Sequence, residues 1–316
     1  MTDNSIKTCA LIGAGAIGSY YIYYLSEKMK AGFSVIADGE RADRLKKGIE
    51  INGRTYYPNV RRPEEAHRVD LLLIAVKYTA LESILPDLDK MIDRDHTIVL
   101  SLLNGVNSEE VIRQAIHPKN LVWSFMKIQS TRTGHSIVFD PERTLGLYYG
   151  IPDVKQVEDS PVLKGLSDFL GSTGIRSHFC PDILSELWGK FYLNVTSNLP
   201  QAVIDVGVGA LEDSPYLKAV ADGMGQEVIR IAEARGISIS SVLTGPVNSR
   251  VAAKSAAYST LQDLRAKRPT EVDVFAGEII RLGKEYGIPT PYNEVVYDFI
   301  KALEEKNAGK FDYGDQ

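Results

Sequence analysis

Short apolar runs alternate with amphipathic stretches through the first 181 residues of the chain. The apolar runs are typical of buried strands, which we place at 7–12, 33–37, 71–76, 97–102, 144–149 and 175–179. Helical periodicity predicts helices at 16–30 and 162–170. Because strands that alternate with helices form parallel sheets, we expect an α/β fold with a doubly wound parallel sheet.

The pattern changes after Pro181. Asp182 can cap a helix that runs from Ile183 toward Asn198, and helical periodicity continues to about residue 305 without a convincing strand. A chain of 316 residues is also longer than one compact core usually supports. We therefore predict an α/β domain over 1–181 and an all-helical domain over 182–316.

Composition and charge narrow the classes of function. Hydrophobic residues make up 44% and charged residues 24%, and the net charge of −5 offers no basic surface for a nucleic acid. The longest apolar run, 71–76, is far below the roughly 20 residues that cross a membrane. The two cysteines fit a reducing cytoplasm, and no spacing of His, Cys and carboxylates predicts a metal site. We expect a cytoplasmic protein with no nucleic acid, membrane or metal as a partner.

A glycine-rich turn follows the first predicted strand. Its residues form Gly-x-Gly-x-x-Gly directly between a strand and a helix. In Rossmann domains the first glycine permits the turn, the second lets a pyrophosphate approach, and the third lets helix and strand pack closely. The helix N-terminus attracts the phosphates. We therefore predict a Rossmann domain that binds NADP or NAD through Gly13, Ala14, Gly15, Ala16, Ile17 and Gly18.

Asp38 stands at the end of the second predicted strand, 20 residues after Gly18. A carboxylate there accepts hydrogen bonds from the adenosine ribose and repels a 2′-phosphate. Arg41 and Arg44 follow closely and could bind that phosphate instead, and Asp-Gly is also a common turn. The choice of cofactor stays open, with a lean toward NADH.

Three polar residues recur at helical spacing in the helix that opens the second half. Lys190, Asn194 and Asn198 are four residues apart, so an α-helix places them on one face, among largely apolar neighbours. Polar groups in an apolar stretch need partners, and a bound substrate could be one. Taken alone, the pattern is more typical of a solvent-facing stripe on a surface helix.

Four other segments bear on how this helix is interpreted. They are Ala75-Val76-Lys77, Leu103-Asn104-Gly105-Val106, Ser259-Thr260-Leu261-Gln262-Asp263-Leu264 and Pro269-Thr270-Glu271-Val272-Asp273. With the glycine motif and Glu186-Leu187-Trp188-Gly189-Lys190, they make the chain resemble the ketopantoate reductase (2-dehydropantoate 2-reductase) family. The resemblance extends in order from residue 7 to about residue 304. The motifs are specific as a set, although no single one is.

The resemblance implies roles at the substrate. Lys190 would be catalytic, donating a proton to the substrate's carbonyl oxygen. Asn194 and Asn198 would hold polar groups of the substrate, and Ser259 its carboxylate end. Hydride addition to a ketone develops negative charge on oxygen, which a positioned ammonium both stabilises and protonates.

The resemblance also implies roles at the cofactor. Asn104 would lie between cofactor and substrate, and Lys77 at the cofactor edge. Glu271 would lie near the nicotinamide ribose and the catalytic lysine. Taken singly, Ser259, Asn104 and Lys77 could be a helix cap, a turn residue and a surface charge.

Two features depart from the pattern of the family. The family usually has Asn-Pro-Leu-Thr-Ala after its second asparagine, whereas residues 198–202 read Asn-Leu-Pro-Gln-Ala. We expect the shifted proline and Gln201 to alter the pocket wall and with it the choice of keto acid. The NADP-binding members typically have arginine where this chain has Asp38.

These observations predict an NAD(P)H-dependent reductase of a small-molecule, branched 2-keto acid. The first candidate reaction is 2-dehydropantoate to (R)-pantoate, in pantothenate biosynthesis. The alternatives are a related 2-keto acid or hydroxy acid dehydrogenase and a protein that senses NAD(H) without turnover. The full set of polar residues disfavours the sensor, which needs no proton donor. A homodimer is left open.

Overall fold

The computed structural model describes residues 5–134, 136–244 and 253–313. The chain divides into two compact units, Met1–Leu184 and Ser185–Gln316. We call them the α/β unit and the helical unit. In the part of the chain that the structure describes, no helix is long and apolar enough to span a bilayer.

The described residues of the α/β unit form short strands joined by helices and turns. The strands are β1 (Cys9–Ile12), β2 (Phe33–Ile36), β3 (Ile49–Ile51), β4 (Arg54–Tyr56), β5 (Val60–Arg61), β6 (Leu71–Ile74), β7 (Ile98–Ser101), β8 (Asn120–Lys127), β9 (Ser130–Thr133), β10 (Ser136–Phe139), β11 (Gly146–Gly150) and β12 (Ser177–Phe179). The helices are α1 (Ala16–Met29), α2 (Gly39–Lys46), α3 (Leu81–Met91), α4 (Ser108–Ile116) and α5 (Pro161–Thr173).

Eight strands form the main sheet, in the order β12-β11-β8-β7-β6-β1-β2-β5. The strands from β8 to β5 in this order are all parallel. At the other end, β11 is antiparallel to β8 and parallel to β12. The chain passes from β1 outward to β2 and β5, and then returns to the other side of β1 at β6, where the strand order reverses. The predicted α/β fold with a doubly wound parallel sheet is confirmed.

The central strands are buried on both faces. All residues of β1 and of β6 are buried. Cys9 and Leu11 pack in one hydrophobic cluster with Tyr20 of α1, while Ala10 and Ile12, which alternate with them, are buried on the opposite face. Because both faces are covered, these strands appear in the sequence as continuous apolar runs.

A second sheet has the order β4-β3-β10-β9. The sequence pattern did not predict it, because strands such as β3 and β4 have only three residues each and are partly exposed. Tyr56 of β4 and Phe139 of β10 pack against Tyr23 of α1, with ring centroids 6.0 and 5.4 Å apart. This sheet therefore packs against α1.

The helical unit contains no strand among its described residues. Its helices are α6 (Ile183–Leu193), which begins two residues before the unit boundary, α7 (Leu199–Ile204), α8 (Ala210–Asp213), α9 (Pro215–Ala234), α10 (Ser240–Thr244), α11 (Ser259–Arg265), α12 (Ala276–Tyr286) and α13 (Pro291–Asn307). A π-helical segment, Asn194–Asn198, joins α6 to α7. The helix predicted from Ile183 toward Asn198 is present, but its last turn is π-helical rather than α-helical.

Candidate active site

Four of the predicted cofactor residues follow four adjacent strands of the main sheet. Gly13 follows β1, Asp38 follows β2, Lys77 follows β6 and Asn104 follows β7. These strands are parallel and lie in the order β7-β6-β1-β2, so their carboxyl ends meet at one edge of the sheet. Open α/β sheets bind ligands at this edge, where the strand order reverses. The α/β unit therefore places all four residues where a ligand is expected.

Two glycines of the motif are required by the fold itself. Gly13 has a φ of +100°, and a Cβ on it would lie 2.5 Å from the carbonyl oxygen of Ala75. A Cβ on Gly18 would lie 1.9 Å from the carbonyl oxygen of Gly13. The turn after β1 therefore packs so closely against the segment after β6 and against α1 that only glycine fits.

Gly15 differs from both of these glycines. Its φ of −85° suits any residue, and no heavy atom of the described residues beyond its chain neighbours and its own helix lies within 4 Å of a Cβ built on it. The protein itself therefore gives no reason for a glycine here. The space lies at the N-terminus of α1, whose first turn has no acidic side chain. It fits the pyrophosphate of a dinucleotide, which must approach exposed N–H groups closely.

The remaining motif residues, Ala14, Ala16 and Ile17, are half-buried around this turn. Asp38 is exposed between β2 and α2, and its side chain forms no capping hydrogen bond with α2. The carboxylate is therefore available to a ribose. Arg41 is also exposed, on the first turn of α2, so the geometry keeps both cofactor alternatives open.

Lys77 and Asn104 lie in the turns after β6 and β7. Lys77 is exposed, and its carbonyl accepts the N–H of Ala80 at 2.9 Å. Asn104 is half-buried and is followed by Gly105, whose φ is +103°. Both turns have defined backbone conformations at the ligand-binding edge of the sheet.

A buried polar network supports the Asn104 turn. The hydroxyl oxygens of Ser101, the last residue of β7, and Ser108, the first of α4, are 2.7 Å apart, which closes the intervening loop. Ser108 donates to Glu109 at 2.9 Å. Glu109 is 2% exposed, and burial raises its pKa to about 7. Sequence reasoning missed this carboxyl, because a Ser-Glu-Glu start is typical of an exposed first turn.

One face of α6 is buried in a hydrophobic core. Leu187, Trp188 and Phe191 are each at most 2% exposed. Lys190 is half-buried beside them. The lysine is therefore not on a fully exposed stripe, and its catalytic role stays a prediction.

The π-helical segment carries both predicted asparagines. Asn194 is half-buried, and Asn198 is 8% exposed. A π-helix has more residues per turn than an α-helix, so residues four apart stay closer to a common face. Single π-helical turns occur frequently at functional sites. Sequence spacing alone gave no signal for this change of helix type.

Ser259 is exposed at the start of α11. The N–H of the preceding Tyr258 donates to Oε1 of Gln201 at 2.7 Å, and Nε2 of Gln201 donates to the carbonyl of Ala256 at 3.4 Å. Gln201 is 0% exposed. It therefore lies inside the unit and bonds to backbone, which corrects the expectation that its side chain alters an open pocket wall.

Glu271 is half-buried and directly precedes a short 3₁₀ turn. The N–H and hydroxyl of Thr270 both donate to Oε1 of Glu304, at 2.7 and 2.8 Å. At the other end of the turn, Phe275 packs against Phe191 of α6, with ring centroids 6.3 Å apart. The helical unit therefore fixes this turn against the helix that carries the predicted lysine.

The chemistry of the site residues follows from these positions. The α/β unit offers a turn for phosphates and a carboxylate for a ribose, and the helical unit offers an ammonium, two amides, a hydroxyl and a carboxylate. Within the described residues, no group of three or more His, Cys, Asp or Glu side chains is arranged to hold a metal ion.

Comparison with known proteins decides the family. The family model described as "Ketopantoate reductase PanE/ApbA" matches residues 9–144, and the model of its C-terminal part matches residues 182–304. The chain belongs to the ketopantoate reductase family. This confirms the resemblance seen in the motifs, and it makes the protein an oxidoreductase that acts on CH–OH groups with NAD(P).

Curated relatives match over nearly their whole length. The chain is similar to a 2-dehydropantoate 2-reductase of Vibrio cholerae, with 28% identity over 93% of this chain and 97% of the relative. It is also similar to a 2-dehydropantoate 2-reductase of Archaeoglobus fulgidus, with 25% identity over 95% of this chain and 98% of the relative.

Solved structures share the fold. A D-mandelate dehydrogenase, solved with NADH and anilino(oxo)acetate, has a TM-score of 0.79 at 23% identity, covering 95% of this chain and 99% of that one. A dimeric ketopantoate reductase from Staphylococcus aureus has a TM-score of 0.75 at 20% identity, with the same coverage. At this level of identity, the likeness shows the fold and leaves the substrate undecided.

Proposed function

We propose that this protein reduces a branched 2-keto acid with NADH or NADPH, and that 2-dehydropantoate, reduced to (R)-pantoate in pantothenate biosynthesis, is its substrate. The observation that carries the proposal is the polar face of α6 and the π-helical segment. There Lys190 and Asn194 are half-buried and Asn198 is buried, beside a hydrophobic core. An ammonium and two amides in such a setting suit a small substrate that has a ketone and several further oxygens.

The dinucleotide supplies the hydride when it is bound. Gly15 would receive its pyrophosphate and Asp38 its adenosine ribose. Lys77 and Asn104 would contact it from the neighbouring strand ends, and Glu271 would accept hydrogen bonds near the nicotinamide ribose. These assignments are supported by the open space at Gly15 and by the shared edge of the sheet.

Side chains of the protein carry out the proton transfer and orient the substrate. Lys190 holds a proton on Nζ and transfers it to the carbonyl oxygen, where negative charge develops as the ketone is reduced. Asn194 and Asn198 orient the substrate through hydrogen bonds from their amides. The hydroxyl of Ser259 donates to the carboxylate.

A second candidate is a dehydrogenase of 2-hydroxy acids with an aromatic side chain. It is supported by the likeness of the fold to D-mandelate dehydrogenase.

Cofactor oxidation separates the candidates. The purified chain is assayed with 2-dehydropantoate, 2-oxoisovalerate and benzoylformate, each with NADH and with NADPH. We expect kcat/KM to be highest for 2-dehydropantoate, by about tenfold or more, which corresponds to about 1.4 kcal/mol. A preference for benzoylformate would establish the second candidate. Dinucleotide binding without turnover of any keto acid would instead indicate a sensor.

Two further proposals concern the setting of the enzyme. We propose a homodimer, supported by the dimeric ketopantoate reductase of Staphylococcus aureus that shares the fold. Light scattering coupled to gel filtration tests it, since a monomer would elute with a mass of 34.9 kDa. We also propose a cytoplasmic location, where the two buried cysteines stay reduced.

A further inference from the structure

Gln201 links two parts of the helical unit that carry proposed substrate groups. It lies in α7, three residues after Asn198 and 58 residues before Ser259. Its side chain is 0% exposed, so it contacts no ligand directly. The oxygen and the nitrogen of its amide both form hydrogen bonds with one short backbone segment. Oε1 accepts from the N–H of Tyr258 at 2.7 Å, and Nε2 donates to the carbonyl of Ala256 at 3.4 Å.

The segment that Gln201 holds is not fixed by regular structure. Residues 253–258 lie outside the helices, and α11 begins at Ser259. Tyr258, the residue that precedes α11, forms no side-chain cap. The carbonyl of Ala256 also accepts the N–H of Val208 at 2.9 Å. Gln201 and Val208 therefore hold this backbone from two positions along the chain.

The side chain of Ser259 is exposed, so packing around it does not fix its direction. Its direction depends on the backbone that enters α11. Downstream, Leu261 and Leu264 of α11 pack with Ala202 of α7, the residue next to Gln201. The apolar contacts hold α11 against α7, while the two amide hydrogen bonds set where the helix starts.

We propose that Gln201 is a positioning residue, which sets the place of the Ser259 hydroxyl relative to Asn198 by holding the backbone of Ala256 and Tyr258. This inference rests on the proposed function in one respect, namely that Ser259 binds the substrate carboxylate. A buried glutamine suits this task because its single rigid amide offers a donor and an acceptor at a fixed separation.

The test uses Gln201→Met, which keeps the volume and removes both hydrogen bonds. We expect KM for the keto acid to rise about tenfold, the effect of weakening one charge-assisted hydrogen bond. The kcat and the dinucleotide Kd should stay within about twofold, since no group at the reacting carbonyl is changed. Gln201→Glu keeps the acceptor for the Tyr258 N–H. Its KM should therefore lie between that of Gln201→Met and that of the wild type.

Asn293→Leu is the matched control for a purely structural role. Asn293 is also 0% exposed, and its amide donates to Glu227 at 2.7 Å and to the Met224 carbonyl at 3.4 Å, between α13 and α9. We expect this variant to lose thermal stability as Gln201→Met does, but to keep the wild-type KM. Equal KM changes in the two variants would overturn the proposal.

A double-mutant cycle tests whether Gln201 acts through Ser259. If it does, Gln201→Met adds little to the KM of Ser259→Ala, because the hydroxyl to be positioned is already absent. Multiplicative KM effects would overturn the proposal.

Amide hydrogen exchange separates this inference from the proposed function. Gln201→Met should accelerate exchange at Tyr258 and leave α13 unchanged, whatever the substrate is. If the wild type reduces no keto acid, the proposed function fails. The exchange rate at Tyr258 still tests whether Gln201 holds the backbone of Ala256 and Tyr258. Unchanged exchange at Tyr258 would show that Gln201 holds nothing there.

Discussion

The α/β unit and the helical unit present their candidate residues in different ways. In the α/β unit they follow adjacent parallel strands, and the turn after β1 is defined by backbone packed against backbone. In the helical unit they are side chains of α6, of the π-helical segment and of two later segments. There the supports are side chains that bond to distant backbone, such as the buried Gln201 and the half-buried Glu304.

This difference matches the ligands proposed for each unit. A dinucleotide has a constant pyrophosphate, which backbone N–H groups bind without help from particular side chains. A keto acid differs from its analogues in the positions of a few oxygens and methyl groups, which only side chains can distinguish. We therefore expect substitutions in the α/β unit to alter dinucleotide affinity, and substitutions in the helical unit to alter turnover and KM.

Lys190→Ala should have the largest effect. We expect kcat to fall by about 10²–10⁴-fold, the usual range for loss of a general acid. Dinucleotide affinity should change little, because the lysine belongs to the helical unit. Steady-state kinetics together with calorimetric titration of NADH and NADPH measure both quantities.

Lys218→Ala provides the control for Lys190. Lys218 is exposed on α9, where it pairs with Asp222 at 2.5 Å. Its loss should leave kcat within about twofold, since exposed ion pairs contribute little. Turnover of Lys190→Ala close to that of this control would remove Lys190 from the mechanism.

Gly15→Val should have the next largest effect, in the other unit. Because no described atom beyond its chain neighbours and its own helix lies within 4 Å of a Cβ at Gly15, we expect the fold to accept valine, while the pyrophosphate loses its approach to the backbone. We expect dinucleotide affinity to fall by at least about 100-fold, equivalent to ~2.7 kcal/mol, with little change in thermal stability.

Gly18→Ala should give the opposite result. Its Cβ would lie 1.9 Å from the Gly13 carbonyl oxygen, so stability should fall by roughly 1–3 kcal/mol. Calorimetric titration and thermal unfolding distinguish the two variants. If Gly15→Val unfolds as Gly18→Ala does, this glycine too is required by the fold, and the argument for a ligand at Gly15 is lost.

The two units also differ in what the sequence could predict. The parallel strands and the glycine motif were predictable because their signals are local: buried runs of four to six residues and glycines at fixed spacing. The second sheet was not, since β3 pairs with β10 across more than 80 residues and its short strands carry no periodic signal.

In the helical unit, the candidate residues were predictable only from the resemblance to the family. The periodicity of α6 identified a helix, but nothing local distinguished Lys190 from a surface lysine. The π-helical turn and the role of Gln201 depend on contacts with distant segments, such as the bond from Tyr258 to Gln201, 57 residues apart. Tertiary contacts of this kind leave no pattern in the sequence.

Glu109→Gln tests whether the α/β unit also relies on a buried side chain. Burial raises the pKa of Glu109 from 4.5 to about 7, so between these values the folded protein binds more protons than the unfolded chain. Wild-type stability should therefore fall as the pH rises from about 4.5 to 7. Above that range Glu109→Gln should be the more stable protein by roughly 3 kcal/mol, and at low pH the difference should vanish.

Denaturant unfolding from pH 4 to 8 measures this dependence. Glu82→Gln, at an exposed position of α3, is the control and should parallel the wild type. Parallel curves for Glu109→Gln and wild type would contradict the assignment of a buried carboxyl beneath the Asn104 turn.

The smallest expected effect concerns the choice between NADH and NADPH. Ala37, just before Asp38, donates its N–H to the Arg61 carbonyl at 3.0 Å, so the backbone that leads to Asp38 is tied to β5. The carboxylate of Asp38 would lie near a 2′-phosphate and repel it. The repulsion is modest, about 1 kcal/mol at 4 Å in water, because Asp38 is exposed. Arg41 is exposed and must order a long side chain to offset it.

Arg61 adds a second cation that sequence reasoning missed, because β5 has only two residues. We still expect repulsion to prevail, since each arginine must order a long side chain to bind the phosphate, whereas the short side chain of Asp38 lies just after β2. NADH should therefore be used at least as well as NADPH, and Asp38→Arg should shift the ratio of kcat/KM toward NADPH by about tenfold, or ~1.4 kcal/mol. Asp43→Arg, on the exposed side of α2, makes the same change of charge away from the strand end and should shift the ratio much less. A wild type that prefers NADPH by tenfold or more would assign the 2′-phosphate to Arg41 and Arg61.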